Sequence, residues 1–235
     1  MQSAVRTVLA SIKETLTSNF GGISNLSLEN FHPLAITIGL FNLLNQSGFG
    51  TTGLGIAFII NFMLYTSYIF GMLMGKTPEI FGKKLEKQEI MISLTLLLIK
   101  PLLILTGTAL TLIIHPNYAH NTYEHIHYYT RVIFEFASSV ANNGLELKET
   151  SYNSSYWNTS QGIVMLLSWY CGIALVLSLA SSLANKPKIP ETIITLKTDT
   201  FLFGLIFLLL IVISTLLIYI PFIIPGPLAE ILIHC

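Results

Sequence analysis

The chain has 235 residues, of which 52% are apolar and only 10% charged, against about 25% charged in an ordinary soluble domain. Its 12 basic and 12 acidic side chains cancel, which excludes a polybasic nucleic-acid surface and an acidic-substrate field. So few charges cannot clothe 26.1 kDa of water-facing protein with a mean hydropathy of +0.68, and the composition places the chain in a bilayer.

In chain order, the first segment, MQSAVRTVLASIKETL, lacks the continuous apolar run and small-residue cleavage site of a signal peptide. Insertion is expected to depend on later segments. Residues 5–18 read as a short amphipathic helix followed by NFGGISN at 19–25. The apolar stretch 33–44 is too short to span and runs into the glycine-rich string SGFGTTGLG at 47–55. A crossing helix needs about 20 residues, and the first run of that length is 55–74. This predicts one membrane helix broken in its middle, with 47–55 facing a pathway, since irregular backbone at membrane depth must be buried or line a wet cavity.

Three further spans are expected at 90–114, 162–184 and 201–224. Between the first two of these, HYYTRVIFEFASSV at 127–140 predicts a helix too short to cross, followed at once by ANNG at 141–144. Short helix, Gly/Asn loop, descending helix is the order of a re-entrant pore loop, in which backbone carbonyls replace a cation's hydration shell. Either loop alone reads more readily as an ordinary surface loop capped by Asn and Gly. The recurrence of the pattern in two halves favours the pore loop, because internal repeats are common in transport proteins.

Alternation of spans puts Lys76, Lys83, Lys84, Lys87, Lys186, Lys188 and Lys197 on one side, and Arg6, Lys13, Arg131 and Lys148 on the other. The positive-inside rule makes the first set cytoplasmic and places the C-terminus outside. Cys171 lies in an apolar run and Cys235 is last, so neither a disulfide framework nor a zinc-spaced cluster is indicated. Nucleotide-binding, aspartyl-phosphate and catalytic-triad motifs are absent, so a hydrolytic role for this chain alone is not expected.

GKTPEIFGKKLE at 75–86 resembles the cytoplasmic loop of the potassium-binding, channel-like subunit of the Kdp-type potassium-importing P-type ATPase. The resemblance continues through GTAL (107–110), ANNG, YWN (156–158), SLAN (182–185) and GPLAE (226–230), and upstream through NFGGISN and GFGTTGLG. It covers essentially this whole chain but only the C-terminal part of the family protein. It implies an all-α integral membrane protein with about four full transmembrane helices, two re-entrant pore helix/filter loops and one broken helix. The units would be 1–85 (third pore unit), 86–200 (fourth pore unit) and 201–235 (last helix).

The resemblance further implies a potassium filter formed by the backbone of Gly21, Gly22, Asn142, Asn143 and Gly144. A pore-gating break would lie at Gly50, Gly53 and Gly55, and a cytoplasmic docking loop at Lys76, Thr77, Pro78, Glu79, Lys83 and Lys84. The expected cofactor is the potassium ion, with no organic cofactor. Expected partners are the catalytic P-type ATPase subunit, small accessory subunits, the missing N-terminal half of the pore and the lipid bilayer, but no nucleic acid. The expected location is the bacterial cytoplasmic (inner) membrane. Departures from the family pattern are Phe20-Gly21-Gly22 for Ser-Cys-Gly, Ala141 for a first asparagine, Leu145 for a small polar residue, and Trp169 for an arginine; Thr51, Thr52 and Leu54 replace mostly small residues. Two other readings stay open: a truncated, non-transporting remnant of that subunit, and a passive channel subunit of the Trk/Ktr kind.

Lys100 stands near the middle of the 90–114 span beside Pro101, where a lysine costs about 2.5–3.5 kcal/mol on insertion scales. It is either a cation facing the protein interior or one satisfied by carbonyls freed at the proline. His115, His120, His125 and His127, with Glu124, form an outer cluster whose spacing matches no structural zinc site. Beside Tyr118, Tyr123, Tyr128 and Tyr129 they more often mark a membrane interface. Thr106, Thr108 and Ser168 are short hydroxyls suited to bonding back to their own helix or across to another.

Overall fold

The computed structural model describes residues 27–28, 54–114, 122–144, 146–147, 154–188, 200–229 and 232. Five helices account for most of them: α1 (Leu54–Met74), α2 (Lys87–Ile114), α3 (Thr122–Ala141), α4 (Ser155–Ala184) and α5 (Phe201–Ile223), with a π-helical turn at Ile224–Leu228. Two minimal sheets join them. β1 (Ser27–Leu28) pairs in parallel with β4 (Glu146–Leu147), and β2 (Glu79–Ile80) pairs antiparallel with β3 (Lys83–Lys84).

Among the described residues, three helical stretches are long and apolar enough to cross a membrane: Gly55–Met74, Lys87–Ile114 and Ser155–Ala184. The last helix opens with a shorter apolar stretch, Phe201–Ser214. Leu102, Leu110, Ile163, Leu166, Leu177 and Leu208 point out of the fold, which fits a lipid-facing surface because these side chains gain nothing from water.

Helix ends show why elements begin where they do. Ser154 Oγ accepts from Trp157 N, and Thr200 Oγ1 from Phe203 N, each at 3.3 Å, so a donor left unpaired by helix geometry is satisfied at each start. At α2 the carboxylate of Glu89 reaches back to Glu86 N at 2.9 Å, which is half of a capping box. Between β2 and β3, Phe81 (φ 53°) and Gly82 (φ 70°) both take left-handed backbone. That is the geometry a two-residue hairpin turn needs to match strand twist, and Phe81 is an unusual residue to supply it.

The core lies between α2, α3 and α4. The inner half of α3, from Val132 to Ala141, is buried throughout, and Phe134, Phe136, Ala137 and Val140 pack with Ile104, Trp157 and Val164. Gly107 makes this possible, since a Cβ there would lie 2.5 Å from Phe136 Cδ1. At the hairpin end, Leu64, Ile80, Leu85, Ile90 and Leu179 form a second cluster. A third contact joins α1 to α5 through Phe70 and Phe203, with ring centroids 6.3 Å apart.

Candidate ion-binding site

Helix α3 ends inside the protein. Ordinarily its last carbonyls would need water; here Ser168 Oγ on α4 donates to Val140 O at 2.8 Å, so one is satisfied across helices. The chain then turns sharply. Asn142 (φ 55°) and Gly144 (φ 68°) take left-handed backbone, a conformation that glycine accepts freely and asparagine better than most residues. Asn142 N donates to Ser139 O at 3.2 Å and Asn143 N to Ser138 O at 3.5 Å.

The side chain of Asn143 is turned inward, 2% exposed, and Ser138 Oγ donates to its Oδ1 at 2.8 Å. Residues 142–144 are therefore a loop fixed from within, with its backbone turned away from regular structure. Beyond the loop, Glu146 and Leu147 pair with Ser27 and Leu28. The stretch that follows one expected filter loop is thus hydrogen-bonded to the stretch that follows the other. Gly21, Gly22, Gly50 and Gly53 lie outside the described residues. Gly55 is the second residue of α1, at the end of the glycine-rich string; Leu145 lies outside the described residues and Ala141 is buried. Trp169 is 47% exposed and points away from the core.

The loop at 75–86 is a structured hairpin clamped to α4. Lys83 Nζ donates to Leu183 O and Ala184 O, so a cation sits on the last carbonyls of a helix C-terminus, where the dipole favours it. Lys186 Nζ bonds Glu89 Oε2 at 2.7 Å, Glu86 Oε2 at 3.2 Å and Lys84 O at 3.2 Å. Burial alone would lower the Lys186 ammonium; the Glu89 and Glu86 carboxylates outweigh it and hold it above its ordinary value. Of the expected docking residues, Glu79 is buried, Lys76 and Pro78 are half-buried, and Thr77 and Lys84 are exposed.

Sequence reasoning overlooked Glu135. Its carboxylate is 4% exposed on α3 and accepts from Gln161 Nε2 at 3.4 Å. The signal was available, since an acid between Phe134 and Phe136 in a short buried helix needs a partner. Of the outer histidines, His125 is exposed and His127 half-buried, while His115 and His120 lie outside the described residues. Among the described residues no group of three His, Cys, Asp or Glu could hold a metal.

These features define a helical membrane protein whose most buried element is a helix that stops inside the fold. The family model of the Potassium-transporting ATPase A subunit matches residues 4–232, and the chain belongs to that family. It is 39% identical over 214 residues to the potassium-transporting ATPase potassium-binding subunit of Gloeobacter violaceus, covering 91% of this chain and 37% of the relative. The subunits of the same description from Alicyclobacillus acidocaldarius and Geobacillus kaustophilus are 36% and 34% identical, over 89% and 92% of this chain. The chain spans 37–38% of the length of these relatives.

Proposed function

We propose that this chain forms part of the potassium-binding membrane subunit of an ATP-driven potassium importer, selecting potassium with backbone carbonyls of its pore loops. The observation that carries this reading is the turn at Asn142–Gly144. A buried helix delivers it to the interior, Ser138 and Ser168 hold it there, and two left-handed residues rotate its peptide planes out of the alternation found in a strand. Carbonyls so turned can converge on a dehydrated cation. Gly21 and Gly22 would supply the equivalent backbone in the other loop, and the β1–β4 pairing supports a common location for the two.

In this reading α3 is a re-entrant pore helix, α2 and α4 flank it as one pore unit within 86–200, α1 is the second half of a broken helix in the unit 1–85, and α5 opens the terminal unit 201–235. Gly50, Gly53 and Gly55 form the gating break. The hairpin face carrying Lys76, Thr77, Pro78, Glu79, Lys83 and Lys84 faces the cytoplasm and the ATPase subunit, in a bacterial inner membrane with the C-terminus outside. The remaining filter strands come from the rest of the pore, and ATP hydrolysis occurs on a partner chain.

The test is uptake of rubidium-86, as a potassium surrogate, by potassium-starved cells expressing the transporter that contains this chain. Saturable uptake that needs ATP and is lost on Gly144→Ala supports the proposal. Uptake absent in the intact transporter, or indifferent to Gly144, refutes it. Cysteines placed at Lys84 and His125 should label from the cytoplasmic and outer faces respectively; labelling of both from one side would refute the topology.

A further inference from the structure

Lys100 is 5% exposed in the seam between α1 and α2, and its ammonium lies 4.5 Å from the centroid of the Phe58 ring. No carboxylate is paired with it among the described residues, which removes the usual reason for burying a lysine. The same seam holds a second polar level. Asn61, one turn from Phe58 on α1, donates from Nδ2 to Ser93 O at 3.3 Å, and Ser93 lies two turns from Lys100 on the buried face of α2.

Asn61 Oδ1 and Ser93 Oγ are both buried and have no hydrogen-bond partner. Two orphaned oxygens at bilayer depth call for a partner that the packing around them does not supply. The Lys100 ammonium bonds neither of them; it rests over the Phe58 ring, one turn along α1 from Asn61. An aromatic face, an amide oxygen and a hydroxyl are neutral ligands. They suit a weakly hydrated monovalent cation and not a hard divalent ion, which demands carboxylates.

We propose that the α1–α2 seam is an intramembrane site for a weakly hydrated monovalent cation such as potassium, and that the Lys100 ammonium, held over the aromatic end of the seam, acts as a tethered competitor. The inference rests on the reading of the chain as part of a potassium transporter, yet its test does not require transport. With the ammonium in place a free cation is repelled from the seam; with it removed, the ring and the two oxygens are left for an ion to fill. Lys100 thereby sets which cation the seam holds.

The experiment is thiol labelling in native membranes of the complete transporter in which Cys171 and Cys235 are replaced by serine. Lys100→Cys should react with a small methanethiosulfonate reagent, and potassium should slow the reaction several-fold where sodium does not. Ser93→Cys, nearly isosteric and retaining Lys100, should react with a cationic reagent about tenfold more slowly than with a neutral one of similar size. An unreactive thiol at both positions, a Lys100→Cys rate indifferent to potassium, or a Ser93→Cys rate indifferent to reagent charge overturns the proposal. Failure of rubidium uptake by the unmodified transporter counts instead against the proposed function.

Discussion

Glu89 and Lys186 meet at 2.7 Å and tie the first turn of α2 to the chain just past the end of α4. Glu89 is fully buried and also accepts from Ser182 Oγ and Glu86 N, so removing Lys186 strands a buried carboxylate, whereas removing Glu89 leaves the ammonium with Glu86 and Lys84 O. Lys186→Met should cost about 3 kcal/mol, the scale for leaving a buried charge unpaired. Adding Glu89→Ala should bring the total to much less than the sum of the two single losses. Thermal unfolding in detergent of the four proteins of this cycle measures both; additive losses would contradict the geometry.

The same pair has a pH signature. The folded-state value of Lys186 is raised, so its contribution is complete below the unfolded lysine value of about 10.4 and is lost as pH rises through the folded value. Melting temperature should be insensitive to this group between pH 7 and pH 9, and the wild-type advantage over Glu89→Ala should shrink at strongly alkaline pH, where the ammonium is lost, and in acid, where the carboxylate takes up a proton. Convergence near neutrality would rule the pair out as the cause.

Gly107→Ala would drive a methyl carbon to 2.5 Å from the Phe136 ring. A buried aromatic cannot yield without moving α3, and overpacking of this kind costs about 1–3 kcal/mol. Phe136→Leu should restore part of the loss in the double variant. Comparison of the three melting temperatures with wild type settles the matter, and a Gly107→Ala protein as stable as wild type would be inconsistent with the contact.

Ser138→Ala leaves the buried Asn143 amide oxygen without the donor that reaches it at 2.8 Å. Losing one hydrogen bond of this kind costs about 0.5–1.5 kcal/mol, and the cost falls on the loop. Rubidium uptake should become less selective against sodium, while Ser138→Thr, which keeps the hydroxyl, should retain selectivity. Uptake competition curves for the two variants provide the check.

How much of this was legible beforehand depended on the range of the interactions. Apolar length located α1 to within a residue of its start, because hydropathy is a local property. The start of α4 at Ser155 lies seven residues before the expected 162, since YWNTSQG carries too little apolar character to announce a span, although Ser154 as a cap was there to be read. α3 was expected at 127–140 and runs from Thr122 to Ala141, beginning among polar and aromatic residues that favour no one structure. The pairing of Ser27–Leu28 with Glu146–Leu147, the capping of Leu183 by Lys83 and the ring beneath Lys100 join residues 42 to 119 positions apart. No local pattern encodes such meetings. The glycines of the other loop, and Gly50 and Gly53 of the helix break, lie outside the described residues, so their part in the site stands on resemblance alone.

The hairpin tip carries one last consequence. Phe81 is 66% exposed and sits at φ 53°, a conformation that costs a non-glycine residue about 1–2 kcal/mol. A residue two-thirds exposed recovers little of this by burial. Phe81→Asn should therefore raise the melting temperature of the isolated chain, and Phe81→Gly should do so as well. The chain thus carries at its tip a strained, uncovered aromatic that its own folding disfavours, and a surface that covered the ring would recover in association what the fold loses there.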